Sequence, residues 1–567
     1  MSGVRASQTD PYQATCHALL IYAAPAEVDD GRAQALAEAA VSSTLGEGWT
    51  VTALGPGARD FRVAPASGRP IAMGRAWTLT RKLRQHRDVA DAEPAIVQPG
   101  LEPPPGVVED GPTTGIATRD LSAATPLPCA ATDHEWSLAL CKVKDGWALA
   151  PPTAAGRRHG EGIVIGHPDT GYTRHREIWD DTPRVRAEES YDFVKRQADA
   201  VDPLEDGNPG HGTTTASVIM SAAGSTLGPF VSGVAPAATI LPLRVTPRVI
   251  LLSFDRLAEA IHYATDRGCH VVSMSLGGPT PSRTLTRAIT RAIDQGVIVL
   301  AAAGNVWPFV VYPARLDQVI ACAACNCQRK VWKQSASGGT VDVTAPGESV
   351  WVARPGRDAG SGDDFVDVGS GTSYAVATTA GACALWLAFH GRDALIGRYG
   401  ASQLAAVFKE LLMAHGVDTP AGWRTDRHGA GILNVEKLLK APLPPTPPAD
   451  GLSTRASMAP RSVSDLEQFL TYFPDEDPAR VRQGLARALQ ISEQELPVRL
   501  ADLGDELVFH VATNPELRAR IVKPAGPKKR GRPLATRSVG TAASGVAARA
   551  PGRFSREASA ALQRLMR

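Results

Sequence analysis

Between residues 134 and 441, short apolar runs alternate with stretches of helical spacing, and no other feature constrains the fold as much. The apolar runs lie at 162–166, 239–245, 270–276, 297–303, 319–324 and 341–345. Helical spacing fills 213–221, 254–267 and 285–295 between them. Strand–helix alternation predicts an α/β unit whose parallel sheet carries helices on both faces. About 300 residues suffice to bury a large core. Aromatic residues are only 5% of the chain, so that core is expected to be built from Ala, Val, Leu and Ile.

The flanking segments have other patterns. Residues 15–98 read as a small α+β domain: strands at 17–22, 49–54, 61–64 and 89–97, helices at 30–43 and 72–86. The order β-α-β-β-α-β is ferredoxin-like. Residues 99–133 form a linker rich in Pro, Gly and Thr. Residues 442–462 are a Pro-rich spacer. Residues 463–522 read as a small helical unit, with helices at 465–473, 479–489, 493–508 and 515–522. The tail, 523–567, carries eleven Lys or Arg against one acid, Glu557. Of the overall charge of +2 the tail therefore holds +10 and the rest of the chain −8. Such a tail is expected to be disordered and to seek different partners from the body.

No stretch approaches eighteen apolar residues, which argues against a membrane span. The apolar piece 18–24 is short and runs into Asp29 and Asp30, unlike a signal peptide. Eight cysteines in 567 residues do not make a disulfide scaffold, so reduced thiols and a cytoplasmic location are expected. Cys322, Cys325 and Cys327 have no nearby His and are expected to be buried thiols rather than metal ligands. The segment 222–232 lacks the acidic and amide ligands of a calcium loop. No metal or other cofactor is expected.

Three short motifs carry chemistry. The run 163–168 delivers Asp169-Thr170-Gly171 at its C-terminal end, the edge where open α/β sheets build sites. His211-Gly212-Thr213-Thr214-Thr215 starts a helix of small residues. Gly369-Ser370-Gly371-Thr372-Ser373 puts a hydroxyl at a helix N-terminus. Each alone is a common turn or cap. Their order, Asp169, His211, Ser373, is that of subtilisin.

With these motifs, residues 134–441 resemble a subtilase, a serine peptidase of the subtilisin family. Further segments fall in family order: Gly233-Val234-Ala235-Pro236, Ser275-Leu276-Gly277-Gly278, Ala302-Ala303-Gly304-Asn305, Tyr312-Pro313-Ala314, Thr344-Ala345-Pro346-Gly347 and Gly429-Ala430-Gly431. Residues 15–98 resemble the family's inhibitor-like propeptide, and the linker 99–133 is then the maturation region.

The resemblance implies roles. Ser373 is the nucleophile, His211 the base and Asp169 its orienting carboxylate. Asn305 supplies an oxyanion donor. Substrate is implied to pair along Ser275, Leu276 and Gly277, with Gly278, Ala302, Ala303 and Gly304 lining the first pocket. The loop after Asn305, Val306-Trp307-Pro308-Phe309-Val310-Val311, is short and apolar. Acids at 202, 205 and 206, and at 363, 364 and 367, read as solvated loops, with attraction of basic substrate residues as the alternative. One departure is Ala377, where the family usually has Pro four residues after the nucleophile. It restores a backbone N–H and is expected to shift Ser373 slightly.

The implied function is a serine endopeptidase acting on protein or peptide substrates, held as a zymogen by its N-terminal domain until self-processing. The rival is a non-catalytic scaffold on the same fold. Its tail would contact DNA, since Lys529-Arg530-Gly531-Arg532-Pro533 resembles an AT-hook. The helical unit 463–522 is a candidate docking module for an unidentified protein partner.

Overall fold

The computed structural model describes residues 15–23, 29–55, 59–97, 127–179, 184–205, 207–222, 230–356, 364–445 and 465–522. Residues 99–126 of the linker, residues 446–462 of the Pro-rich spacer, the AT-hook-like stretch and the basic tail lie outside the described residues.

The N-terminal domain contains β1 (Thr15–Ala23), α1 (Asp30–Leu45), β2 (Trp49–Ala53), β3 (Asp60–Pro65), the two-residue β4 (Ile71–Ala72), α2 (Met73–Arg84) and β5 (Val89–Val97). Its five-stranded antiparallel sheet runs β2-β3-β1, with β4 and β5 both pairing to β1. Asp29 caps α1 by accepting from the Arg32 N–H. Leu19, Ile21, Phe61 and Val63 form the apolar face under α1 and α2.

The central domain is α/β, as the alternation of patterns predicts. Its elements are β6 (Val164–Asp169), α3 (His211–Met220), β7 (Thr239–Arg244), α4 (Asp255–Asp266), β8 (Val271–Met274), α5 (Arg283–Asp294), β9 (Ile298–Ala302), β10 (Ile320–Cys325), β11 (Val343–Pro346) and α6 (Thr372–His390). The ten-stranded sheet runs β11-β10-β9-β8-β6-β7 through its centre, all neighbours parallel, with short strands at both edges. The strands are buried along their whole length because helices cover both faces. The chain goes from β6 to β7 on one side and then back to β8 on the other. Strand order thus reverses around the C-terminal end of β6, where crevices form in open α/β sheets.

Helix α6 corrects one expectation. It is long and apolar enough, at 19 residues, to cross a membrane by length and composition. It is instead wholly buried, threading the core with Trp386 and Leu387 fully enclosed. Its small residues, Ala and Gly, allow close approach of neighbours on all sides: a Cβ at Gly381 would lie 2.6 Å from Val234.

The cysteine expectation is corrected too. Cys129 and Cys327 are joined by a disulfide across 198 positions of sequence. The end of the 99–133 linker is thereby tied beside β10. Cys322 and Cys325 are buried and free, and burial pushes both thiols up to about 12. Among the described residues no His, Cys, Asp or Glu group is arranged to hold a metal ion.

The helical unit comprises α7 (Asp465–Leu470), α8 (Pro478–Leu489), α9 (Leu496–Thr513) and α10 (Pro515–Val522). The helix expected at 493–508 is a 3-10 turn at Glu493–Glu495 followed by α9. Pro497 fits the first turn of α9, where its missing N–H leaves no bond unmade. The unit does not stand apart. Phe309 of the central domain lies in its core with Phe469, Tyr472 and Leu485.

Candidate active site

Asp169 ends β6 with its carboxylate fully buried. Its Oδ1 accepts from the Thr170 N–H at 2.7 Å and from His211 Nδ1 at 2.8 Å. His211 opens α3, and its other nitrogen, Nε2, lies 3.1 Å from Ser373 Oγ. A carboxylate only accepts, so Nδ1 carries the proton and Nε2 is left to accept from the hydroxyl. Burial alone would raise the Asp169 carboxyl. The His211 imidazole beside it, with His167 and the Thr170 N–H, outweighs burial and holds it below the usual carboxylate range.

Glycines make this convergence possible. A Cβ at Gly212 would sit 1.9 Å from the Gly171 carbonyl oxygen, so α3 can start this close to the β6 turn only without a side chain there. Gly171 itself has φ +114°, a region open to glycine at little cost.

Ser373 lies in the first turn of α6, after Gly371. Its Oγ also reaches the Ser275 carbonyl at 3.3 Å, and Ser275 Oγ donates back to the Ser373 carbonyl at 3.1 Å. Asn305 follows β9. Its Oδ1 accepts from the Thr372 N–H at 2.9 Å and from Thr372 Oγ1 at 2.7 Å, and Thr372 Oγ1 accepts from the Gly304 N–H. With Oδ1 fixed on Thr372, the carboxamide keeps its donor for the small cavity it lines with His211, Gly371 and Ser373. The three sequence-predicted triad residues and Asn305 thus meet at one place. Ala377 sits fully buried within α6.

The residues expected to bind substrate backbone are only partly available. The Gly277 N–H donates to the Val249 carbonyl at 3.0 Å, and its carbonyl accepts from the Leu251 N–H at 2.8 Å. Gly278 exchanges both backbone bonds with Tyr312 at 2.8 Å. Segment 249–251 thus already pairs with Gly277, at the backbone groups where the resemblance implies substrate pairing. Ser275 meets Ser373 as described, and Leu276 is buried. Ala302 and Ala303 are buried; Ala303 exchanges bonds with Cys322 and Val311, and only Gly304 of that group is partly exposed.

Asp202 is not a solvated loop acid. It is buried, and accepts from Thr170 Oγ1 at 2.6 Å and from the Gly210 N–H at 2.8 Å, bracing the two motifs against each other. Burial raises its carboxyl despite those bonds. Glu205 is exposed. Asp364 accepts from the Gly356 N–H, and Asp367 lies on the strand Phe365–Gly369, accepting from the Val368 N–H. Asp206 and Asp363 lie outside the described residues.

Two supporting residues escaped the motif reading. His167 Nε2 lies 3.0 Å from Thr215 Oγ1, which in turn is 3.5 Å from Asp169 Oδ2. Burial holds the His167 imidazole below its ordinary value. A histidine two places before Asp169 in an otherwise apolar run was the available signal. Thr372 orients Asn305, although in sequence it marks only a turn before a helix.

Residues 160–415 match the model of the subtilase family, peptidase S8. Subtilisin Savinase of Lederbergia lenta is 34% identical over 227 residues, which span 40% of this chain and 76% of that protein. An alkaline protease of Shouchella clausii is 34% identical over an equal length, 54% of its own. In fold, the chain is similar to fervidolysin from Fervidobacterium pennivorans, a keratinolytic enzyme related to subtilisin. That likeness has a TM-score of 0.56 at 20% identity, over 78% of this chain and 63% of fervidolysin.

Proposed function

Because this chain belongs to the subtilase family of serine endopeptidases, we propose that Asp169, His211 and Ser373 are its catalytic triad and that its N-terminal domain is an intramolecular inhibitor. The observation that carries the first part is the unbroken path from carboxylate to imidazole to hydroxyl, at 2.8 and 3.1 Å.

In this reading Ser373 Oγ attacks the carbonyl carbon of the scissile bond while its proton passes to His211 Nε2. The negative charge on the carbonyl oxygen is met by the Asn305 amide and the Ser373 N–H at the N-terminus of α6. Collapse of the tetrahedral species breaks the C–N bond as His211 returns the proton to the leaving amine. Water, deprotonated by the same imidazole, then frees the acyl group from Ser373. Asp169 holds Nδ1–H throughout and stabilises the imidazolium. An extended substrate chain reaching Gly277 displaces segment 249–251, which bonds there now.

Support for the inhibitory reading comes from how the N-terminal domain sits on α4 and α5. Glu93 of β5 is buried at the start of α5, accepting from Ser282 Oγ at 2.6 Å and from the Arg283 N–H at 2.8 Å. Arg287 donates to Asp60, and its guanidinium stacks on Tyr22 at 4.3 Å. Arg62 pairs with Asp255 and Glu259. Val97 then ends the domain, and the chain returns at Leu127 beside Ser349. The disulfide Cys129–Cys327 supports an oxidising compartment in place of the cytoplasm expected from the cysteine count.

The test is incubation of purified wild type beside Ser373→Ala. The expected result is a new fragment beginning within residues 98–135 in the wild type only. Identical band patterns would refute self-processing.

A further inference from the structure

We propose that the helical unit is a latch: α9 holds the N-terminal domain on the peptidase after the chain between them is cut, so that inhibition outlasts cleavage. The regulatory half of this statement rests on the inhibitory reading above; the docking half does not.

The contacts lie along one face of α9, at positions 505, 506, 509 and 512. Asp505 accepts from Arg84 of the N-terminal domain and from Arg283 of the peptidase, the latter at 3.0 and 3.3 Å. One carboxylate thus joins three bodies. Burial would raise it, but Arg283 and Arg84 hold it at about 2. Glu506, with its side chain fully enclosed, accepts from Arg81 at 2.6 Å. Phe509 packs in the apolar core of the N-terminal domain, its ring 6.2 Å from that of Trp77. One turn on, the Ala512 carbonyl accepts from the Trp307 indole at 3.1 Å, two residues after Asn305.

The unit's own anchorage is to the peptidase. Tyr472 meets Phe309 edge to face at 4.9 Å, Arg315 stacks over Tyr472 at 4.3 Å, and Arg427 pairs with Asp475 at 2.5 Å. The N-terminal domain therefore leaves only by breaking two interfaces, one on α4 and α5 and one on α9. The second belongs to a segment outside residues 160–415, the part that matches the family.

The experiment uses the full chain with Ser373→Ala and a recognition sequence for a site-specific protease placed between residues 98 and 126. After cutting, release of the N-terminal fragment from the C-terminally captured remainder is timed. The expected result is slow release from this protein and release on the order of 30-fold faster from Asp505→Asn and from Arg84→Gln. Rates within twofold of each other would overturn the latch. Arg84→Gln lies on the N-terminal domain, so it still tests the contact if Asp505→Asn disturbs folding of α9. The same cut in the Ser373 background, followed by peptide hydrolysis, separates the two readings. Fast release from Asp505→Asn with no rise in turnover would overturn the inhibitory reading, and the regulatory half with it, while leaving the docking. Equal release rates overturn the latch whatever turnover does.

Discussion

The peptidase domain is touched by its two neighbours in contrasting ways. The N-terminal domain meets α4 and α5 through ion pairs, among them Asp60–Arg287 and Arg62–Glu259, and through the buried Glu93 carboxylate, which accepts from the Ser282 hydroxyl and the Arg283 backbone N–H at the start of α5. The helical unit meets the loop after Asn305 mainly through rings, with Trp307 and Phe309 set under Tyr472 and α9. A charged seam can be hydrated again once opened, whereas an aromatic seam opens onto bare apolar surface. The first is the easier seam to open in water and the second the harder. Helix α9 combines both: Asp505 and Glu506 meet arginines of the N-terminal domain and, at Arg283, of the peptidase, while Phe509 packs into the N-terminal core and the Ala512 carbonyl meets Trp307.

The largest expected effect on release is at the charged seam. Arg287→Ala leaves Asp60 and Asp91 without that guanidinium, and speeds release of the cut N-terminal domain by about 100-fold or more. Release at the wild-type rate would erase the contrast. At the aromatic seam, Tyr472→Ala removes a fully buried ring and destabilises the helical unit by about 3–5 kcal/mol, read by denaturant unfolding or amide exchange in α7–α10. Its effect on the α4 and α5 contacts is expected to be small. Raising salt from about 0.05 to 0.5 M shortens the screening length to a few ångströms. It is expected to speed N-terminal release several-fold and leave exchange in the helical unit unchanged; an equal response of both seams would contradict the distinction.

The smallest effect is a pH dependence. Asp505 is held at about 2 in the folded chain, below the usual aspartate value of about 3.9. A carboxyl lowered on folding adds stability above its unfolded pKa and loses it as pH falls toward its folded one. The stability gap between the wild type and Asp505→Asn should therefore be flat from pH 5 to 8 and shrink below about pH 4. A gap that grows on acidification would refute this sign.

The central sheet was legible because parallel strands covered on both faces read as continuous apolar runs, and each run, at 164–169 or 298–302, needs no partner to be recognised. Asp169, His211, Ser373 and Asn305 were legible because each sits in a short motif whose turn chemistry is local. What escaped depends on pairing across long distances. Nothing near Cys129 points to Cys327, and nothing near Gly277 points to segment 249–251. Asp202 looks like any loop acid until Thr170 and Gly210 close around it. The loop 306–311 read as apolar, but its cover, α9, lies some 200 residues away and only the fold brings them together.

The central claim is that Ser373 is an activated nucleophile. Labelling with a fluorophosphonate probe, followed by mass analysis of the modified peptide, tests it most directly on the cut protein freed of its N-terminal domain. The account predicts one adduct, on Ser373, lost in His211→Ala, where subtilisin's own loss in turnover is about 10⁶-fold. An unlabelled Ser373 beside a folded core, or labelling that survives without His211, would contradict it.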